Sequence, residues 1–224
     1  MSGRSFIEPT PWDQRALGVA SFEVTAATSE AMAQMRQAPG HYSIKVDPLS
    51  SKKLLQEHEF YYCDTLVEPH CTRENFIAYP SPEASVTRDA ALDPLLAICH
   101  GAFAHGRFHR DFNVERARAD ARYDRWLAEL HGKGQVYALN YRGALAGFVA
   151  VIDGKLVLHA LAQSLRGRGL ARHLWTALCE MLFAAGVKEV SSSISVANVA
   201  ALNLYAALGF RFRNPKDVYH CVIP

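Results

Sequence analysis

Glycines at 167 and 169 alternate with arginines where an apolar strand pattern gives way to an amphipathic helix pattern. Upstream, residues 155–162 read as a strand. Downstream, Leu170, Leu174, Ala177, Leu178, Met181 and Leu182 follow the helical period, and Gly186 closes the run. The first turn of a helix exposes unpaired N–H groups and carries partial positive charge. Glycines just before it let the backbone approach an anion closely. Arg166, Arg168 and Arg172 add charge, so Arg166-Gly167-Arg168-Gly169-Leu170-Ala171-Arg172 reads as a diphosphate cradle. It is not a Walker loop, because Leu170-Ala171 follows the last glycine where Lys-Ser/Thr is needed. It is not a dinucleotide fingerprint either, because position 172 is Arg where a third Gly or Ala is needed. The alternative is a tight turn that holds nothing.

The surrounding chain is mixed α/β. Pro80 and Pro82 punctuate it, which divides a smaller N-terminal α/β region, residues 1–80, from a larger domain, residues 81–224. In the first part, 29–37 and 47–57 read as helices and 60–67 as a strand rich in aromatic and β-branched residues. In the second, 85–87 reads as a strand. A helix opens at Asp93-Pro94, and a second is capped by Asn113 and stopped by Gly132. Three strands follow, 135–140, 144–152 and 155–162, the last two joined by an Asp153-Gly154 hairpin. After the glycine turn and its helix come a strand over 188–196, a short helix over 198–208, and a final strand pair over 210–212 and 218–222. The order β-α-α-β-β-β-α-β-α-β places an antiparallel meander ahead of a strand-to-helix unit.

Composition narrows the function. The net charge of +2 is too small for a nucleic-acid binder, so no nucleic-acid partner is expected. No apolar run reaches the roughly 18–20 residues that span a bilayer, and residues 1–8 lack the apolar core of a secretory leader. Five cysteines without a C-x-x-C pair suit a reducing compartment, and a cytoplasmic location is expected. His105 and His109 have H-x3-H spacing but flank Gly106 in a loop, and no metal is expected.

Two segments carry a family resemblance. Residues 166–171 match the pyrophosphate-binding signature Q/R-x-x-G-x-G/A of the GCN5-related N-acetyltransferases (GNAT). Asn198-Val199-Ala200-Ala201-Leu202-Asn203-Leu204-Tyr205-Ala206-Ala207-Leu208-Gly209-Phe210 resembles that family's N-x-x-A-x-x-L-Y-x-x-x-G-F motif. The resemblance runs from Glu83 to the C-terminus and implies the GNAT fold with acetyl-CoA as acetyl donor. Fainter similarity links Ile7-Glu8-Pro9-Thr10-Pro11-Trp12-Asp13, Gly18-Val19, Ala102-Phe103-Ala104, Arg107-Phe108 and Trp126 to the dTDP-fucosamine acetyltransferases, which act on an amine of a nucleotide-linked sugar and carry an N-terminal α/β region.

The resemblance assigns roles. Residues Gly167 to Arg172 would hold the pyrophosphate, and Leu161, Ala162 and Gln163 would present a splayed strand edge to the pantetheine amides. Asn198 and Asn203 would contact the same ligand, with helix capping as the other reading of Asn198. Tyr205 would be the general acid for the departing sulfur, because a phenol of pKa about 10 stays protonated at neutral pH; its other reading is a packing aromatic. The amine must be neutral to attack, which for a lysine-like amine costs roughly 4.6 kcal/mol at pH 7. Many relatives place a Glu on the strand before the glycine turn. This chain has only His159 there, and Asp64 is the other candidate on the amine side; the other readings are a core or surface histidine and a solvated strand-end charge. Arg107, His109, Arg110 and Arg122 read as a clamp for a phosphorylated small-molecule acceptor, with Phe108 and Phe112 interleaved as aromatics to stack on a base or sugar, or as solvated loop and helix charge. A peptide amine as acceptor, a non-catalytic acetyl-CoA sensor and an empty structural turn are the competing readings. The antiparallel C-terminal strand leaves a homodimer open.

Overall fold

The computed structural model describes residues 5–224, so residues 1–4 of the stretch inspected for a leader lie outside the described residues. The chain forms two compact units that do not follow it linearly. The first takes in residues up to Leu66, Ala104–Arg122 and Pro215–Pro224, and the second Val67–Phe103 and Tyr123–Asn214. A single cut near residue 80 therefore does not describe the compact units; the loop after Phe103 and the last ten residues join the N-terminal part.

In the first unit, β1 (Ile7–Pro9), α1 (Pro11–Leu17), β2 (Ser21–Val24), α2 (Ser29–Met35), β3 (Gly40–Val46) and α3 (Lys53–Glu57) follow in order. β1 is antiparallel to β2, β2 is parallel to β3, and residues 217–223 are antiparallel to β3. β3 is buried at nearly every position, so it lacks the alternation that marks a half-exposed strand. Thr28 caps α2, its side chain accepting from Ala31 N–H. The predicted helix over 47–57 begins only at Lys53, because Asp47 accepts from Leu49 and Ser50 to make a turn. Val24, Met32, Met35, Tyr42, Ile44, Leu55, Phe60 and Cys221 form this unit's core.

β4 (Tyr61–Thr72) enters the second unit. There β5 (Ala84–Thr87), α4 (Leu92–Cys99), α5 (Arg116–Gly132), β6 (Val136–Tyr141), β7 (Ala144–Ile152) and β8 (Lys155–Leu161) follow. α5 starts at Arg116, so Asn113 is not its cap; that residue's N–H instead donates to Asp111. β5 to β8 form an antiparallel meander. The Asp153-Gly154 hairpin has both residues at positive φ, 47° and 78°, as a type I′ turn requires. Arg142-Gly143 repeats that turn between β6 and β7. Then come α6 (Ala171–Ala184), β9 (Glu189–Ser192), β10 (Ile194–Ser195), α7 (Val199–Ala207) and β11 (Arg211–Ile223).

The meander is covered on both faces. Phe148, Ala150, Leu158 and Ala160 pack with Leu95, Cys99, Leu127 and Leu130 of α4 and α5. Val149, Val151 and Leu156 pack with Leu174, Trp175, Leu178, Leu182 and Tyr205 of α6 and α7. The expected final strand pair is one strand, β11, with Asn214 absorbing a positive φ of 52° inside it. The edge suggested for a second copy is already engaged, since residues 217–223 pair with β3 of the same chain. No helix among the described residues is long and apolar enough to cross a membrane.

Candidate active site

The second unit forks where β8 leaves β9. The two strands pair in parallel only at Lys155–Ser191 and Leu156–Ser192. Beyond that point β10 pairs with β4 instead. At the fork, Ser192 Oγ donates to Leu156 O at 2.7 Å, which satisfies the last carbonyl. From Val157 to Leu161, β8 keeps β7 on one side and has no strand on the other among the described residues. Ala162 N–H donates to Ala146 O at 2.9 Å. Alternation along an antiparallel ladder then turns the N–H and C=O groups of His159 and Leu161 toward the open edge. Gly147 permits the close strand approach on the paired side, because a Cβ there would sit 2.5 Å from Ala160 O.

The chain leaves this edge through a short 3-10 turn, Gln163–Leu165, and enters the glycine turn. Gly167 and Gly169 have φ of 72° and 73°, the left-handed region that side chains disfavour. A Cβ on either would meet nothing within 4 Å, so the turn faces open space. Among the described residues, the backbone N–H groups of residues 167–172 donate no hydrogen bond of ordinary geometry within the chain. The N-cap of α6, Leu170, supplies no side-chain acceptor either. This is a row of bare donors at a helix start, the setting that suits an anion.

The arginines divide by role. Arg166 Nε donates to Leu161 O at 2.9 Å and braces the turn. Arg172 lies over the Tyr79 ring at 5.3 Å, and its neighbour His173 bonds Tyr79 O at 2.8 Å. Asn198 caps α7, its Oδ1 accepting from Ala201 N–H at 3.1 Å; Asn203 is exposed on the same helix.

Tyr205 is fully buried on α7, and its hydroxyl is 3.1 Å from His159 Nε2 on β8. His159 also packs edge-on against Trp175, with ring centroids 5.3 Å apart. Burial pulls the His159 pKa down to about 4, opposed by a hydrogen bond to its own backbone. A neutral imidazole at this position can accept from the Tyr205 hydroxyl through Nε2. Burial pushes the Tyr205 phenol up, opposed by Ser192 and Trp175. At neutral pH the pair is a protonated phenol on a neutral imidazole. The strand and the helix that meet here are far apart in sequence, so only their motif and position, not their contact, were legible beforehand.

The remaining candidates lie in the first unit. Asp64 is buried, and its Oδ1 accepts from Arg110 Nη1 and from Thr65 N–H, each at 2.9 Å. It is not a solvated strand-end charge. Arg110 also lies over the Tyr62 ring, at 5.6 Å. His109 Nε2 is 2.8 Å from Asp120 Oδ1. Phe108 is only 2% exposed, so it is a packing residue with Arg107 and Arg122 against its ring rather than a stacking surface. Phe112 is the exposed aromatic of this loop, at 79%, tilted against Tyr61 at 4.5 Å. Sequence reasoning missed His41, Asp111 and His220, which gather from three distant segments without any shared motif.

With this geometry in place the comparisons are informative. Residues 103–210 match the acetyltransferase (GNAT) family. No curated protein matches the chain. Among solved structures, the chain is similar to a GCN5-related N-acetyltransferase from Sphaerobacter thermophilus, at 12% identity and a TM-score of 0.61, over 97% of this chain and 76% of that one. It is similar to a functionally unknown conserved protein from Staphylococcus epidermidis, at 10% identity and a TM-score of 0.65, over 100% of this chain and 94% of that one. A third, a GCN5-related N-acetyltransferase from Kribbella flavida, matches at 14% identity and a TM-score of 0.55, over 92% and 81% of the two chains. At these identities the likeness speaks for the fold. The fold is that of the GNAT acetyltransferases.

Proposed function

We propose that the protein transfers acetyl from acetyl-CoA to a primary amine of a small molecule, by direct attack in a ternary complex. The observation that carries this reading is the row of bare N–H groups at 167–172, set at the end of a strand edge that is open from Val157. Acetyl-CoA supplies the activated acetyl thioester. The donors at 167–172 bind its diphosphate, with Arg168 adding charge. The turned-out groups of His159 and Leu161 bond its amides as a peptide would bond a sheet edge. The empty space above Gly167 and Gly169 suits a ligand that approaches the backbone closely.

Tyr205 holds the proton that the departing sulfur needs. His159 fixes the phenol oxygen through Nε2 and, with its pKa lowered to about 4, stays neutral and able to accept throughout the physiological range. His159 thus takes the place on the strand where many relatives hold a Glu. Asn198 serves chiefly as the helix cap that sets the angle of Tyr205. Asp64 serves to hold Arg110 in place.

For the acceptor, we propose an amino sugar linked to a nucleotide, of the dTDP-fucosamine kind. Exposed Phe112, with the Tyr61 and Tyr62 rings and Arg110 nearby, supports a flat or phosphorylated partner. The internal pairing of His109 and Arg110 leaves less free charge for phosphate than the sequence suggested. The five buried thiols, none in a disulfide, support a cytoplasmic setting. The test is free-thiol release from acetyl-CoA with a panel of nucleotide-linked amino sugars, aminoglycosides, polyamines and peptides. Turnover on the first group is expected. Turnover on peptides alone overturns the acceptor assignment, and absence of acetyl-CoA binding by calorimetry overturns the whole reading.

A further inference from the structure

The first unit holds a buried His–Asp–His cluster that plays no part in acetyl transfer. His41 on β3, Asp111 in the loop before α5 and His220 on β11 are 3%, 2% and 0% exposed. Asp111 Oδ2 lies 2.9 Å from His41 Nε2 and 2.7 Å from His220 Nδ1. One ligand-type atom from each residue falls within 4.8 Å of the others. The second carboxylate oxygen is fixed separately, accepting from Tyr61 OH at 2.9 Å and from Asn113 N–H at 2.8 Å.

We propose that these three side chains form a site for a divalent transition-metal ion of the zinc class. Two imidazoles and a carboxylate are a common donor set for such ions, at about 2.0–2.2 Å from the metal. The outer oxygen of Asp111 is already oriented by two donors, as ligating carboxylates are in built metal sites. His220 Nε2 is buried without a hydrogen-bond partner among the described residues. When Nδ1 takes an ion, its proton moves to that nitrogen, and no existing bond on that side has to break. His41 Nε2, which also faces Asp111 Oδ2, gives up its proton in the same way to its own Nδ1; both imidazoles stay neutral, so the exchange balances without loss of a proton. Arg107 acts electrostatically on this cluster and offsets the carboxylate charge. Nitrogen donors rather than net charge then govern affinity, which selects zinc, cobalt or nickel over magnesium and calcium. His41 also stands in the wall of a cavity of about 260 Å³, beside Leu17, Val19 and Asn113.

The test is titration of the chelator-treated full chain with Co2+, read by visible absorption, followed by competition with Zn2+. A single equivalent with tetrahedral-type bands, displaced by Zn2+, is expected. Asp111→Asn and His220→Gln should abolish the bands, and Tyr61→Phe should weaken binding by roughly tenfold, as loss of an outer-shell partner does. His220→Gln retains an amide able to bond Asp111, and circular dichroism confirms that the variant is folded. Absence of the bands in the wild type overturns the proposal. So does binding that survives in folded His220→Gln, or that is lost instead in His105→Gln.

Discussion

Tyr205 and His159 are a proton-bearing pair whose balance is set by burial, and each predicts a separate measurement. Tyr205→Phe keeps the ring in the core and removes only the proton. Its kcat should fall by about 10²–10⁴, the usual contribution of a positioned acid, while calorimetric binding of acetyl-CoA stays unchanged. Unchanged kcat removes Tyr205 from the mechanism. His159 gives a pH dependence of stability. Its folded pKa, about 4, lies below the ordinary 6.5, so between those values the unfolded chain binds more protons than the native one. This residue's contribution is fully present above pH 6.5 and is lost as the pH falls toward 4. Denaturant melts across that window should show a shallower pH slope for His159→Gln than for the wild type. Arg110 poses a third case at this scale. Arg110→Ala leaves the buried Asp64 carboxylate without its guanidinium and should cost on the order of 3 kcal/mol by urea unfolding, with Asp64→Asn milder. Of these residues, Tyr205 stood out through its motif, though its burial against His159 did not. The burial of Asp64 did not either, since a strand-end carboxylate looks the same in sequence whether solvent or Arg110 faces it.

In the proposed reading the glycine turn and the strand fork act together, the turn supplying donors and the fork an edge. Gly169→Ala places a methyl group in a left-handed residue that faces open space, so the predicted cost in stability is about 1 kcal/mol, from backbone strain alone. Acetyl-CoA affinity should fall further, by tenfold or more in a calorimetric titration, because the methyl group occupies the space above the donors. Gly209→Ala is the contrasting variant. Its Cβ would overlap the carbonyl oxygen of Asn75, so it should damage folding rather than ligand binding. Legibility at this scale follows locality. The α6 helix, its glycine turn and the Asp153-Gly154 hairpin carry their signals within a few residues, and all appear as read. β3 gave no period because both of its faces are covered. The final strand was split in the sequence reading because Asn214-Pro215 has turn chemistry, yet Asn214 takes its positive φ within a continuous β11.

Across the whole molecule, one domain's motif was visible while the division into units was not. The first unit recruits Ala104–Arg122 and Pro215–Pro224 from beyond the proline-marked boundary, a long-range assembly that composition does not encode. The His41, Asp111 and His220 cluster is a product of that assembly. Binding to the native chain alone gives a direct check on the ligand reading. Acetyl-CoA at about 100 times its dissociation constant should add roughly 2.7 kcal/mol of stability, seen as a raised melting midpoint, and a flat midpoint refutes it. The cysteines bear on every such experiment. Cys63, Cys71, Cys99, Cys179 and Cys221 form no disulfide, and none is more than 3% exposed. A colorimetric thiol reagent added to an assay therefore registers released coenzyme against almost no background from intact enzyme. Pulse alkylation extends the use: label on Cys63 or Cys221 marks opening of the first unit, and label on Cys71, Cys99 or Cys179 marks opening of the second, so mass spectrometry of one sample separates the two events.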